Sequence, residues 1–295
     1  MNYSLDIDKK YFSTIGNFFS PIVLSSLEKN SYSSYFSEVC KTSGLLKNID
    51  VSISLRDFLD TIFHFLLKNY RNEYIYKNII ANKILLGKHS LKSSQFLTEF
   101  RVGNNKADII ILNGTATVYE IKSEYDTFYR LKKQINSYSK AFEFVNIITS
   151  PSQIEKAFQE LPENIGILSF TDRNTISTFR KPKSNLDNIN LSLLFDSLRK
   201  DEYLQIIKTY YESIPNVPNT KIFEACKKLY WEIPLEKAVK LTNEILKKRN
   251  YSNYTIQNIN KVPFSLVAYV LSLGNKRNRV ENTLKILNKK LIEII

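Results

Sequence analysis

Three ionisable residues, Asp108, Glu120 and Lys122, lie in an otherwise apolar stretch that runs from Lys106 to Lys122. A buried charge with neither a partner nor a metal is very costly, so something must collect them. The chemistry these residue types suggest is metal-dependent hydrolysis of a phosphodiester. Glu120 and Lys122 are two positions apart on one strand, so their side chains leave the same face. Two converging carboxylates suit Mg²⁺, which takes one or two of them together with water and phosphate oxygens. Such an ion lowers the pKa of a bound water and offsets charge on the phosphate. Lys122 beside it would hold or deprotonate that water, or stabilise the developing charge.

The element that must position them is a β-hairpin. β-Branched and aromatic residues flank Asn113-Gly114, a strong short-range hairpin signal, and the run is apolar as in a strand buried on both faces. Its register decides the chemistry. A plain two-residue turn would pair Leu112 with Thr115 and put Asp108 and Glu120 on opposite faces. The site therefore requires an odd register, a three-residue loop with Gly114 left-handed or a bulge, in which Leu112 pairs with Ala116 and Asp108 stands opposite Glu120.

Asp108, an eleven-residue gap, then Glu120-Ile121-Lys122 resembles the PD-(D/E)XK nuclease superfamily, with Ala107 where the family's Pro is usual. The resemblance covers roughly residues 60–175. It implies a restriction-endonuclease-like αβββαβ core, a mixed sheet flanked by helices, and a Mg²⁺ or Mn²⁺ cofactor held by Asp108, Glu120 and the main chain of Ile121. In the superfamily the helix before the first core strand often carries a further acid, and Glu73 is the match, with Asn72 and Lys77 as neighbours. Glu73 and Lys77, four apart, also read as an exposed helix pair. Glu99 is the second candidate for that acid. Gln134 and Tyr138, on one face of the helix after the catalytic strand, resemble the Gln-x-x-x-Tyr of RecB-type nucleases, where both line the site. The chain is also similar to a bacterial group of small nuclease-like proteins that share Glu-Tyr-x-Tyr-Lys-Asn, here from Glu73, and Glu-Ile-Lys-Ser-Glu, here from Glu120.

Around this centre the pattern is regular. Apolar residues recur at helical spacing from Leu55 to Tyr70, and a second helical segment runs from Arg71 to a stop at Gly87. Phe96–Val102 reads as a strand with a turn at 103–105, and Asp126 or Thr127 as the N-cap of the next helix. Phe144–Thr149 and Ile165–Phe170 read as further strands, with a helix opening near Pro151 between them. This alternation fits an α/β sheet covered by helices. His64 reads as a packed or surface residue and His89 as a loop residue. Arg101, Arg130, Lys132 and Lys133 either meet a nucleic-acid backbone or face solvent. The three parts expected are a helical N-terminal extension over 1–55, the nuclease-like domain over 56–178, and an all-α basic domain over 186–295 behind a linker near 180–190, whose first helix runs over 191–214 and closes before Pro215.

The 295 residues carry a formal charge of +13, and after residue 175 there are 21 basic residues against 11 acidic. This balance favours an anionic partner. Two distant cysteines, Cys40 and Cys226, exclude a zinc-finger pattern and give no hint of a disulfide framework. No apolar run reaches transmembrane length and no signal peptide opens the chain, so a cytoplasmic location without a membrane partner is expected. The expected function is a metal-dependent nuclease acting on DNA rather than RNA, the C-terminal helices gripping substrate or a protein partner. The alternative is a non-catalytic nuclease-like DNA- or protein-binding module of a defence or mobile-element system.

Overall fold

A computed structural model describes residues 5–249 and 251–295. The chain divides into two compact units, one of residues 1–92 with 251–295, the other of residues 93–250. Among the described residues no helix is long and apolar enough to cross a membrane.

The first unit is helical. It contains α1 (Pro21–Asn30), α2 (Ser34–Thr42), α3 (Leu55–Asn69) and α4 (Glu73–Ile80). Ser54 opens α3 by accepting the Asp57 N–H at 3.1 Å, and Leu55, Phe58, Leu59, Ile62, Phe63 and Leu66 are buried along one stripe. The segment after α4 is a π-helical turn, Ala81–Leu86, and Gly87 stays right-handed rather than forming the expected left-handed stop. Buried Asn78 ties α4 to the distant segment near 264–268, donating to the Phe264 carbonyl at 2.6 Å and accepting from Ala268 N–H at 2.9 Å.

The second unit is built on a six-stranded mixed sheet: β1 (Gln95–Val102), β2 (Asn105–Asn113), β3 (Thr115–Lys122), β4 (Phe144–Thr149), β5 (Gly166–Phe170) and β6 (Ile176–Arg180), neighbours in that order. The first three strands are antiparallel, β3, β4 and β5 are parallel, and β6 returns antiparallel. Parallel neighbours need crossovers, supplied by α5 (Leu131–Ser139) and α6 (Ile154–Glu160). Ile110, Leu112, Ala116, Val118, Val145 and Ile147 form one core with α5 and with α8 (Lys200–Tyr211), α9 (Ile222–Glu232) and α10 (Leu235–Lys247), which follow α7 (Leu191–Asp196). Ile109, Ile111 and Ile148, at the alternate positions, are also buried, which is why these strands read as unbroken apolar runs.

Four expectations change. Residues 176–180 form an edge strand where the sequence reads as the approach to a linker. One helix over 191–214 becomes two, α7 and α8, separated at 197–199. Neither Asp126 nor Thr127 caps α5, which starts at Leu131; the Asp126 carboxylate instead turns back to accept from Ser123 N–H at 2.8 Å and Ser123 Oγ at 2.6 Å. The helices of 191–247 share the core of the sheet, whereas those after 251 group with the N-terminal helices, so the division at 55 and 186 is replaced by that of the two units.

Candidate functional site

The hairpin adopts the odd register. Asn113 pairs with Thr115 and Leu112 with Ala116 around Gly114, whose φ of +79° is a conformation glycine accepts without penalty. The ladder continues to Ile109–Tyr119, so the next rung sets Asp108 opposite Glu120. Across the other edge of β2, Thr98–Ile109 and Phe100–Ala107 flank a rung that sets Glu99 opposite Asp108. Three acids thus occupy one transverse row over β1, β2 and β3.

Regular pairing lapses along that row. Glu99 is left-handed, with φ of +52°, a backbone state costing a non-glycine residue on the order of 1 kcal/mol. Asp108 Oδ2 accepts the Ile121 N–H at 2.8 Å. Carboxylate oxygens of Glu99 and Asp108 lie within 4.8 Å of each other.

Glu120 is 1% exposed and faces α5. Its Oε1 accepts from Gln134 Nε2 at 2.5 Å and lies 3.4 Å from Lys122 Nζ, which also donates to Gln134 Oε1 at 3.1 Å. Its Oε2 is buried without a hydrogen-bond partner among the described residues. Burial raises the Glu120 carboxyl above its ordinary value, while the Lys122 charge and neighbouring hydrogen bonds work against the shift. An unsatisfied buried carboxylate oxygen beside an acidic row fits a cation, because a cation would offset the desolvation that the protein leaves uncompensated.

The other expected residues divide. Tyr138 is wholly buried, and its hydroxyl donates to the Lys106 carbonyl at 2.6 Å, so it anchors α5 to the start of β2. Burial, and then the charges of Glu120 and Asp108, drive its phenol well above the ordinary value. Ile121 presents its N–H to Asp108, which leaves its carbonyl as the one main-chain group it could offer an ion. Arg101 is exposed on β1 and donates to the Gly103 carbonyl at 3.3 Å. Arg130, Lys132 and Lys133 are exposed at the start of α5. In the first unit Glu73 begins α4 and meets Lys77 at 2.5 Å, the helix-pair geometry, and Asn72 caps that helix by accepting the Ile75 N–H at 3.2 Å. His64 is exposed, with Nδ1 2.7 Å from the Asp60 carbonyl. Glu99, the second candidate for the further acid, takes its rung from the turn at Gly103-Asn104, where Val102 pairs with Asn105.

Protein cII of Enterobacteria phage P4 is 25% identical over 130 residues, which are 43% of this chain and 49% of that protein. The chain thus spans about half the length of that relative. A solved protein of unknown function from Silicibacter pomeroyi overlaps 43% of this chain and 87% of its own, at 14% identity and a TM-score of 0.28, too slight a likeness to bear on the fold. The family model for bacteriophage P4 protein cII matches residues 67–265, and with well over half of its length covered, the chain belongs to that family.

Proposed function

We propose that the protein is a Mg²⁺- or Mn²⁺-dependent nuclease of the PD-(D/E)XK type that hydrolyses phosphodiester bonds in DNA. The observation that carries this reading is the row Glu99, Asp108 and Glu120, with an unsatisfied Glu120 oxygen and Lys122 beside it. Asp108 and Glu120, with the Ile121 carbonyl, would hold the ion, and Glu99 adds an acid on the same row. When bound, the ion supplies Lewis acidity toward water and phosphate.

The rest is the work of the chain. Lys122 stands beside the acids, placed to hold a water or to meet a phosphate oxygen. Gln134 fixes the relative positions of Lys122 and Glu120 by bonding to both. Tyr138 holds α5 against β2 and so holds Gln134 in place. The excess of basic residues favours approach of a polyanion.

A second reading draws on the same contacts. Glu120, Gln134 and Lys122 satisfy one another in part without an ion, as they would in a nuclease-like scaffold that binds DNA or protein and cleaves neither. Cleavage of supercoiled and linear DNA with Mg²⁺, Mn²⁺ or EDTA separates the two. The nuclease reading expects metal-dependent cleavage that is lost in Glu120→Ala and Lys122→Ala. Folded protein that retains DNA and never cleaves it would favour the scaffold.

A further inference from the structure

An open cleft of about 690 Å³ lies in the second unit, bordered by the outer flank of α5, the turn after α6 and the segment 185–188. Its position on α5 differs from that of the acidic row. Gln134 turns to Glu120 and Tyr138 to Lys106, whereas Lys132, Asn136 and Lys140 line the cleft.

The wall that sequence alone reads as a linker is firmly built. Lys183 N–H donates to the Asn164 carbonyl at 2.9 Å, Asn185 N–H to the Glu143 carbonyl at 2.8 Å, and Asn190 N–H to the Lys140 carbonyl at 2.7 Å. Asn185 is 1% exposed, and its side chain accepts from Asn164 Nδ2 at 2.5 Å while donating to Glu143 at 3.1 Å. Fixing a segment this way lowers the entropy a ligand would have to remove on binding.

The lining has a distinct chemistry. Five carboxamides, Asn136, Gln159, Asn164, Asn185 and Asn188, border one cleft; Asn164 and Asn185 are bonded to each other, so Asn136, Gln159 and Asn188 are the ones that can meet a ligand. A carboxamide sets a donor beside an acceptor, the pattern that matches the edge of a nucleobase. Glu160, which also borders the cleft, can accept from an exocyclic amine. Lys132 and Lys140 are exposed at its border and suit a phosphate, while Ile135 and Leu161 give the floor an apolar portion for the face of a base. Ser139, another lining residue, has a buried hydroxyl with no partner among the described residues. The volume falls within the ordinary range for small-ligand pockets, roughly 300–1,000 Å³, and is too small for a duplex.

We infer that this cleft binds a nucleotide unit, base and phosphate together, at a site separate from the acidic row. The unit comes either from an unpaired stretch of a nucleic-acid strand or from a free mononucleotide. The site goes beyond the nuclease reading and does not depend on it.

The test is binding, in EDTA, of a short fluorescein-labelled single-stranded oligodeoxynucleotide to the full chain, with unlabelled dAMP as competitor. Because binding is read in EDTA and without cleavage, the result stays apart from any failure of the catalytic reading. Asn136→Leu is expected to weaken binding about fivefold with an unchanged salt dependence, as for the loss of one neutral hydrogen bond. Lys140→Ala is expected to reduce the slope of log affinity against log salt by about 0.7, as for the loss of one single-strand phosphate contact. Displacement by dAMP assigns the site to a free nucleotide, and failure of dAMP to displace assigns it to the strand. Absence of oligodeoxynucleotide binding would overturn the inference, as would wild-type affinity and salt slope in both folded cleft variants.

Discussion

Gln134 and Glu120 are joined by a short hydrogen bond, Nε2 to Oε1 at 2.5 Å, that links α5 to the buried end of β3. The same carboxamide accepts from Lys122 Nζ at 3.1 Å. One neutral side chain therefore sets the spacing of two charged ones, and it does so from the helix whose Tyr138 is anchored to Lys106. The Glu-x-Lys motif on its strand is only half of the arrangement; the other half comes from the crossover helix.

Gln134→Leu tests that link. The change removes a donor from a buried carboxylate and an acceptor from Lys122 while nearly preserving volume. A destabilisation of about 1–3 kcal/mol is expected at neutral pH, the cost of leaving a buried group unsatisfied. It should shrink in acid, where protonated Glu120 demands less. Urea unfolding at several pH values reads both effects, and a cost independent of pH would show that the bond to Glu120 is not its source.

Glu120 itself carries a pH signature. Burial raises its folded-state value above the ordinary 4.5, with Lys122 opposing. The folded chain then holds the proton more tightly than the unfolded chain. That contribution to stability is fully present below the unfolded value and is lost as pH rises through the folded one. In EDTA, Glu120→Gln should therefore gain stability relative to wild type as pH rises through that window. Adding Mn²⁺ near neutral pH should favour wild type instead, by about 2.7 kcal/mol at a hundredfold excess over Kd, and leave Glu120→Gln unmoved. A difference between the proteins that is flat with pH, or equal stabilisation of both by Mn²⁺, would count against these roles.

How much of this was legible in the chain follows from which constraints are local. The hairpin register could be read because parity permits two answers, and only one puts Asp108 opposite Glu120; Gly114 supplies the backbone that answer needs. The row extends to Glu99 by the same arithmetic across the Gly103-Asn104 turn, but a half-polar edge strand advertises its register weakly. Residues 176–180 hide for that reason too, since they are half-exposed at the sheet edge and lack the apolar run of β4 and β5. Asp126 looks like a helix cap because its type is right, yet its carboxylate prefers the nearer Ser123. Which helices share a core with the sheet is set by contacts distant in sequence, and helical periodicity carries no record of its partners.

One such distant contact is the pair between Glu202 on α8 and Arg249, just beyond α10. Arg249 Nε lies 2.6 Å from Glu202 Oε1 and its Nη2 2.7 Å from Oε2, while the guanidinium rests 5.0 Å from the Phe100 ring centre on β1. Burial works to raise the Glu202 carboxyl, but Arg249 and the Arg199 N–H outweigh it and hold the group below its ordinary value. Glu202 thus contributes stability that is present above the unfolded carboxyl value and is lost as pH falls through the folded one. Arg249→Ala strands a buried carboxylate and removes a ring contact, so a loss of about 3–5 kcal/mol is expected at pH 7. Arg249→Lys keeps the charge without the two-pronged geometry and should fall between. In urea unfolding the Arg249→Ala deficit should narrow as pH is lowered through the carboxyl range. A deficit that stayed constant would assign the loss to the Phe100 contact and leave the ion pair with no measurable share.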